Sequence, residues 1–251
     1  MAATERVDSL LWQDMTLIQK KDAFSLGIDG VLLADFVSIK NKDDVVDLGC
    51  GNGALPLLLS CRAPGAHFIG LEIQEEMADL ARRNVMANDL AQKIDIVTGN
   101  MVEASALLGR GRFSLVLSNP PYGEEGAGRI SPEPARAAAR SELYCKLFDV
   151  IREGAALLNS GGRLALVHRP ARLPEICTLM EKNHIAPKRM RLVQPSASKA
   201  PNLLLIEGVR GGNPGLHVEP TLMVYDAPGV YSTDMQEIFN SHNKERRHHH
   251  G

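Results

Sequence analysis

Aromatic side chains are scarce in this 251-residue sequence: one Trp, four Tyr and six Phe, 4% in all. That scarcity argues against the stacked platform on which single-strand binders lay successive bases. Long apolar runs are missing too. No run of about 18 apolar residues, the length that crosses a bilayer, appears, and Met1–Arg6 does not read as a secretory signal. The four cysteines, Cys50, Cys61, Cys145 and Cys177, lie far apart without metal-ligand spacing. They read as reduced thiols of a cytoplasmic protein, and no metal is expected. There is no internal repeat. The net charge of −2 excludes a general polyanion binder.

What is present is ordinary globular material. Hydrophobic residues make up 44% and mean hydropathy is −0.11, enough for one large domain or two small ones. Short apolar runs alternate with helical patterns, which predicts an α/β fold with a mostly parallel sheet. Strands are expected near 45–49, 67–72, 94–99, 113–118, 163–168, 188–194 and 202–209. Helices are expected near 29–38, 53–62, 74–87, 101–108, 139–158 and 171–183. Charge is unevenly spread: between Ala127 and Arg210 there are 14 basic residues against seven acids, a hint of a phosphate-bearing partner. The alternative is a set of solvated helix faces. The end of the chain, with Arg246-Arg247-His248-His249-His250, reads as a tag or disordered tail rather than a metal site.

Two segments carry chemistry. Val45-Val46-Asp47-Leu48 runs into Gly49-Cys50-Gly51-Asn52-Gly53, a strand entering a glycine-rich turn where a ligand can approach the main chain. The next strand ends at Glu72, placed to accept two ribose hydroxyls. Downstream, Ser118-Asn119-Pro120-Pro121-Tyr122 closes an apolar run. The two prolines fix an extended backbone and remove two N–H donors, leaving the Asn119 side-chain oxygen and the Pro120 carbonyl as acceptors. Such a pair suits a planar substrate with an NH2 group, its face covered by Tyr122. Otherwise the segment is a rigid exit from a strand.

Together these motifs resemble the class I S-adenosylmethionine-dependent methyltransferases that modify planar amino groups. Phe24–Ala34, Ala165–Pro170 and Tyr231-Ser232 further resemble the bacterial tRNA1(Val) adenine-N6 methyltransferase family, especially its Gram-positive members. The likeness spans about Ser9 to Asn240. It implies a Rossmann-like, seven-stranded sheet with helices on both faces, its last two strands forming a hairpin with one antiparallel strand. It also implies a covering segment at 1–43 joined to a methyltransferase domain at 44–240 as one unit, with a tail at 241–251. By the same resemblance Asp47, Gly49, Gly51, Gly53 and Glu72 hold S-adenosylmethionine, with Gly27 and Asp29 folding over it. Asp29 also reads as an N-cap for a helix starting at Gly30. Asn100 stands where such enzymes often have an acid for the cofactor's adenine. Asn119, Pro120, Pro121 and Tyr122 are the implied catalytic residues. Arg129, Arg136, Arg140 and Arg169 flank the expected pocket mouth, as contacts for a tRNA in which adenine 37 is methylated. No general base is required, so His168 reads as a loop residue. The Asn-Pro-Pro-Tyr motif alone also admits a protein-glutamine or DNA-adenine methyltransferase. The glutamine enzymes normally add a helical domain, for which the roughly 43 residues before the first strand leave little room. A non-catalytic, cofactor-binding RNA-interaction protein is the remaining alternative.

Overall fold

Strands buried on both faces need apolar residues at every position, and that is how the central strands of this chain read. The computed structural model describes residues 5–10, 12, 15–20, 27–120 and 147–241. An N-terminal hairpin pairs β1 (Glu5–Ser9) with β2 (Thr16–Lys20), and α1 (Ile28–Phe36) follows. The core then builds through β3 (Asp44–Leu48), α2 (Ala54–Arg62), β4 (His67–Glu72), α3 (Glu75–Ala87), β5 (Ile94–Thr98), α4 (Ala104–Leu108) and β6 (Phe113–Ser118). After the undescribed stretch come α5 (Leu147–Leu157), β7 (Leu158–His168), α6 (Leu173–Lys182), β8 (Ile185–Gln194), β9 (Leu203–Arg210) and β10 (His217–Met223). Short strands β11 (Tyr225–Ala227) and β12 (Val230–Tyr231) and helix α7 (Thr233–Asn240) close the described chain.

The sheet order is β10-β8-β9-β7-β6-β3-β4-β5. Only β9 runs antiparallel to its neighbours, in the hairpin expected with β8. The sheet has eight strands, not the seven expected. The extra strand, β10, is mostly exposed, contains Pro220 and shifts register between Glu219 and Leu222. An edge strand tolerates a proline and needs no apolar run, so no sequence pattern announced it. One face of the sheet (Val45, Leu115, Leu117, Ala165, Val167, Leu205) packs under α1 and α2. The other (Val46, Val116, Leu164, Leu166, Ile206) packs under α5 and α6.

Arginines gather where α1 ends. A helix leaves its last carbonyls unpaired, and cations favour that end. Arg62, the last residue of α2, donates to the carbonyls of Ala34, Asp35 and Val37. Arg163 donates to the Ser38 carbonyl and pairs with Asp43 at 2.7 Å. Arg189 donates to the Phe36 carbonyl at 3.1 Å and lies 4.5 Å from the Phe36 ring centroid. Part of the basic excess is thus tied up within the chain. Among its described members, Arg152, Arg163, Arg172, Arg189 and Arg191 pair with neighbouring acids, and Arg210 donates to the Leu158 carbonyl.

Candidate active site

The sheet changes winding direction at β3. The chain proceeds from β3 through α2 to β4 on one side, while β6 lies against its other side. In open α/β sheets ligands settle at the carboxyl ends of strands beside such a point. Three hydrogen-bonding ties gather the strand ends here. The Ser118 hydroxyl, ending β6, donates to the Leu48 carbonyl ending β3 at 2.9 Å. Gly49 and Cys50 donate their backbone N–H groups to the Leu71 carbonyl at 2.8 and 3.1 Å. Gly99, after β5, donates to the Glu72 carbonyl at 2.9 Å.

Within the turn, Gly49, Gly51 and Gly53 all have positive φ, of 80°, 55° and 79°. A Cβ on Gly51 would find no atom within 4 Å, so main chain faces open space there. The Glu72 carboxylate, 6% exposed, accepts the Gly51 N–H at 2.9 Å on one oxygen and the Gln74 N–H at 2.9 Å on the other. The acid expected as a ribose acceptor thus holds the turn in shape, and each oxygen keeps a further lone pair.

Asp47 lies buried beneath this turn, and among the described residues no hydrogen bond or ion pair reaches its carboxyl. Burial, and secondarily the nearby negative charge of Glu72, push its pKa up to about 8. Two buried acids that pair with no cation among the described residues suit a cationic ligand. S-adenosylmethionine carries an ammonium and a sulfonium, so the acids, the glycine cradle and the open space fit it. Nearby Cys50 is an inert thiol, its pKa raised by burial and then by Asp47 and Glu72.

The remaining expected residues fall into three groups. Asn119 is half-buried and Pro120 buried, directly after β6 and next to the Leu48–Gly49 strand end. Pro121, Tyr122, Arg129, Arg136 and Arg140 lie outside the described residues. Asn100 is half-buried and caps a short 3-10 turn, its side-chain oxygen accepting the Val102 N–H at 3.2 Å. Gly27, not Asp29, is the N-cap: α1 starts at Ile28, and Asp29 sits in the first turn, where a carboxylate complements the helix dipole. The reason is that Gly27 supplies the extended backbone that a cap needs, two residues earlier than the sequence suggested. Gly27 lines a cleft of about 300 Å³ with Arg6, Gln19, Tyr231 and Phe239. His168 ends β7 rather than occupying a loop. It is 4% exposed, its Nδ1 accepts the Arg169 N–H at 2.8 Å, and burial, then Arg172, lower its pKa to about 4. The imidazole is therefore neutral at neutral pH and only a weak base. Half-buried Arg169 reaches toward the Asn202 carbonyl at 3.5 Å.

Sequence reasoning missed Asn52 and Asn84. Asn84, on α3, is fully buried and donates to the Asn52 carbonyl in the glycine turn at 2.9 Å. The signal was available only as two asparagines four residues apart, Asn84 and Asn88, which on a helix surface ordinarily face water. Among the described residues no group of His, Cys, Asp and Glu could hold a metal ion, and no helix is long and apolar enough to cross a membrane.

Comparison with known proteins places this geometry. The sequence model described as methyltransferase small domain matches residues 14–183. A tRNA1(Val) (adenine(37)-N6)-methyltransferase from Porphyromonas gingivalis W83 is 30% identical over 236 residues, covering 90% of this chain and 91% of that protein. The protein of the same name from Dickeya chrysanthemi is 27% identical, with 93% of each chain covered. Among solved structures, a predicted O-methyltransferase from Agrobacterium tumefaciens superposes with a TM-score of 0.69 at 23% identity, covering 85% of this chain and 96% of that one. Geranyl diphosphate C-methyltransferase from Streptomyces coelicolor, in complex with S-adenosyl-L-homocysteine, superposes at 0.54 with 16% identity, covering 73% and 80%. At such identities the structural likeness speaks for the fold alone.

Proposed function

Because the chain belongs to the methyltransferase small-domain family, we propose that it methylates the exocyclic amino nitrogen of an adenine in RNA, adenine 37 of a tRNA1(Val). That it is an S-adenosylmethionine-dependent methyltransferase follows from the family and its relatives. The finer reading is carried by one observation: Asn119 and Pro120 leave β6 beside the glycine turn, pinned there by the Ser118–Leu48 hydrogen bond. It is supported by relatives of that name that align with nine-tenths of the chain.

Bound S-adenosylmethionine supplies an electrophilic methyl group, and Asp47, Glu72 and the Gly49–Gly53 main chain are the residues that would hold it. The rest falls to the acceptors. The adenine amino nitrogen is a poor nucleophile because its lone pair is delocalised into the ring. Asn119 Oδ1 and the Pro120 carbonyl accept its two N–H bonds, orient the nitrogen and stabilise the positive charge that develops on it. No base is needed first, since that proton becomes far more acidic as the nitrogen is alkylated. Tyr122 stacking on the base would add roughly 1–3 kcal/mol. Arg129, Arg136, Arg140 and Arg169 are the proposed phosphate contacts, and Gly27, Asp29 and Asn100 the remaining cofactor contacts.

Single-turnover methylation of unmodified tRNA1(Val) tests this reading. Asn119→Ala should bind S-adenosylhomocysteine normally yet react about a hundredfold more slowly, the usual scale for losing one transition-state hydrogen bond. An unchanged rate would reduce the motif to a rigid turn. Affinity for tRNA should fall linearly with salt on a log–log plot, and Arg136→Ala with Arg140→Ala should flatten the slope. Salt-independent association, or none, would favour a protein-glutamine substrate.

A further inference from the structure

Strand β2 is an edge strand whose outward N–H and C=O groups need partners, and α3 supplies them with two side chains. Asn88 accepts the Thr16 N–H at 2.9 Å and donates to the Thr16 carbonyl at 2.8 Å. Asn84 accepts the Ile18 N–H at 2.7 Å and donates to the Ile18 carbonyl at 3.0 Å. The match is geometric. Two strand residues rise about 6.6 Å and four helical residues about 6 Å, so asparagines at i and i+4 meet alternate residues of a strand.

The two asparagines differ in one bond. The second N–H of Asn88 returns to its own helix, at the Asn84 carbonyl, 2.7 Å away. That of Asn84 crosses to the Asn52 carbonyl, at 2.9 Å. Asn84 is fully buried, and both its donors are engaged. Glu72 holds the Gly51 N–H, so consecutive residues of the turn are fixed by side chains from two different elements. Asn52 itself is 6% exposed; its Oδ1 accepts the Ala54 N–H at 3.3 Å, and its buried Nδ2 has no hydrogen-bond partner among the described residues. That donor lies beside the bond that Asn84 makes.

We propose that Asn84 is a positioning residue that couples the N-terminal hairpin to the glycine turn, so that cofactor binding and hairpin docking strengthen each other. This rests on the cofactor occupying that turn. One amide spans both partners, so any ordering of Asn52 by a ligand restrains Ile18 equally. Linkage makes the effect reciprocal: a docked hairpin presents the turn in its binding shape. Asn88 grips the same hairpin without reaching the turn and serves as the built-in control.

The experiment combines amide hydrogen exchange with calorimetry, using S-adenosylhomocysteine as the probe. In the wild type, saturating probe should slow exchange of the Ile18 amide about tenfold. Asn84→Ala should bind the probe about tenfold more weakly, the scale of one buried hydrogen bond, and should lose that protection. Asn88→Ala should speed exchange at Thr16 while keeping probe affinity within about twofold of wild type, since its bonds never touch the turn. Unchanged Ile18 exchange on binding to the wild type overturns the inference, whether or not the Asn84 variant folds. So does equal probe affinity in the two asparagine variants. Glu72→Ala separates the two levels: wild-type affinity in that variant would mean the cofactor lies elsewhere, whereas its loss together with unaltered Ile18 exchange in the wild type would defeat only the coupling.

Discussion

Asp47 on β3 and Glu207 on β9 are buried carboxylates in one row of the sheet, linked through the paired positions Leu117 and Ala165. Both face the side covered by α1 and α2, where Leu117 and Ala165 join the core. Their surroundings are opposite. Glu207 accepts the Ser38 N–H at 3.2 Å and meets the Arg189 guanidinium at 3.5 Å, which in turn holds Glu219 at 2.8 Å. Among the described residues the charge that acts on Asp47 is that of Glu72, which makes matters worse for a second negative charge. Glu207 belongs to the scaffold and its charge is balanced from within the chain. Asp47 is left for something outside the chain to balance. A buried acid is therefore read not by its burial but by whether its countercharge is already present.

The largest expected break of this contrast is Arg189→Met. It strips Glu207 and Glu219 of their cation and should lower unfolding free energy by about 3 kcal/mol, the lower end for a broken buried pair because Arg189 is partly exposed. Urea denaturation would measure it, and S-adenosylhomocysteine affinity should hardly change. A variant as stable as wild type would make Glu207 no different from Asp47.

Asp47→Asn should behave in the reverse way. Affinity for S-adenosylhomocysteine should fall about 10- to 100-fold, the loss of a charged hydrogen bond. The ligand-free protein should meanwhile gain stability at alkaline pH. The folded-state pKa of about 8 lies above the ordinary 3.8, so between these values the unfolded chain gives up its proton and the folded chain keeps it. Wild-type stability from this group is full below about pH 4 and is lost as pH rises toward 8, whereas the Asn variant is flat across that window. Unfolding curves at pH 5 and 8 would show it, and equal losses in both proteins would refute the assignment.

The smallest effect is the most direct. Binding of S-adenosylhomocysteine at pH 6.5 should release about one proton, since an Asp47 with pKa about 8 must ionise to meet an ammonium. Calorimetry in buffers of differing ionisation enthalpy counts that proton, and zero release would leave Asp47 neutral in the complex.

Much of this was legible in the sequence wherever one residue type performs one local task. Apolar runs marked β3, β4, β6 and the core of β9, and the glycines with Glu72 marked the cleft. The spacing did not disclose that both Glu72 oxygens hold backbone N–H groups, because Gln74 and Gly51 converge only after the strands align. Counting basic residues could not tell which of them pair within the chain: Arg163 with Asp43, Arg189 with Glu207 and Arg191 with Asp234 meet only in the tertiary structure. Strand β10 stayed hidden because an edge needs no apolar signature. Asn84 and Asn88 stayed hidden because amides look solvent-directed until the partner strand, some 66 to 72 residues earlier, is known.

Trp12, the sole tryptophan, is fully buried and donates its indole N–H to the Ile238 carbonyl on α7, 226 positions later. On a ribosome, the first hairpin of this chain is made long before the segment that latches it. Such non-local closure belongs to the late, slow part of folding. The indole thus sits where an optical signal reports completion: its fluorescence should respond to the arrival of the C-terminal helix, after the sheet between them has formed.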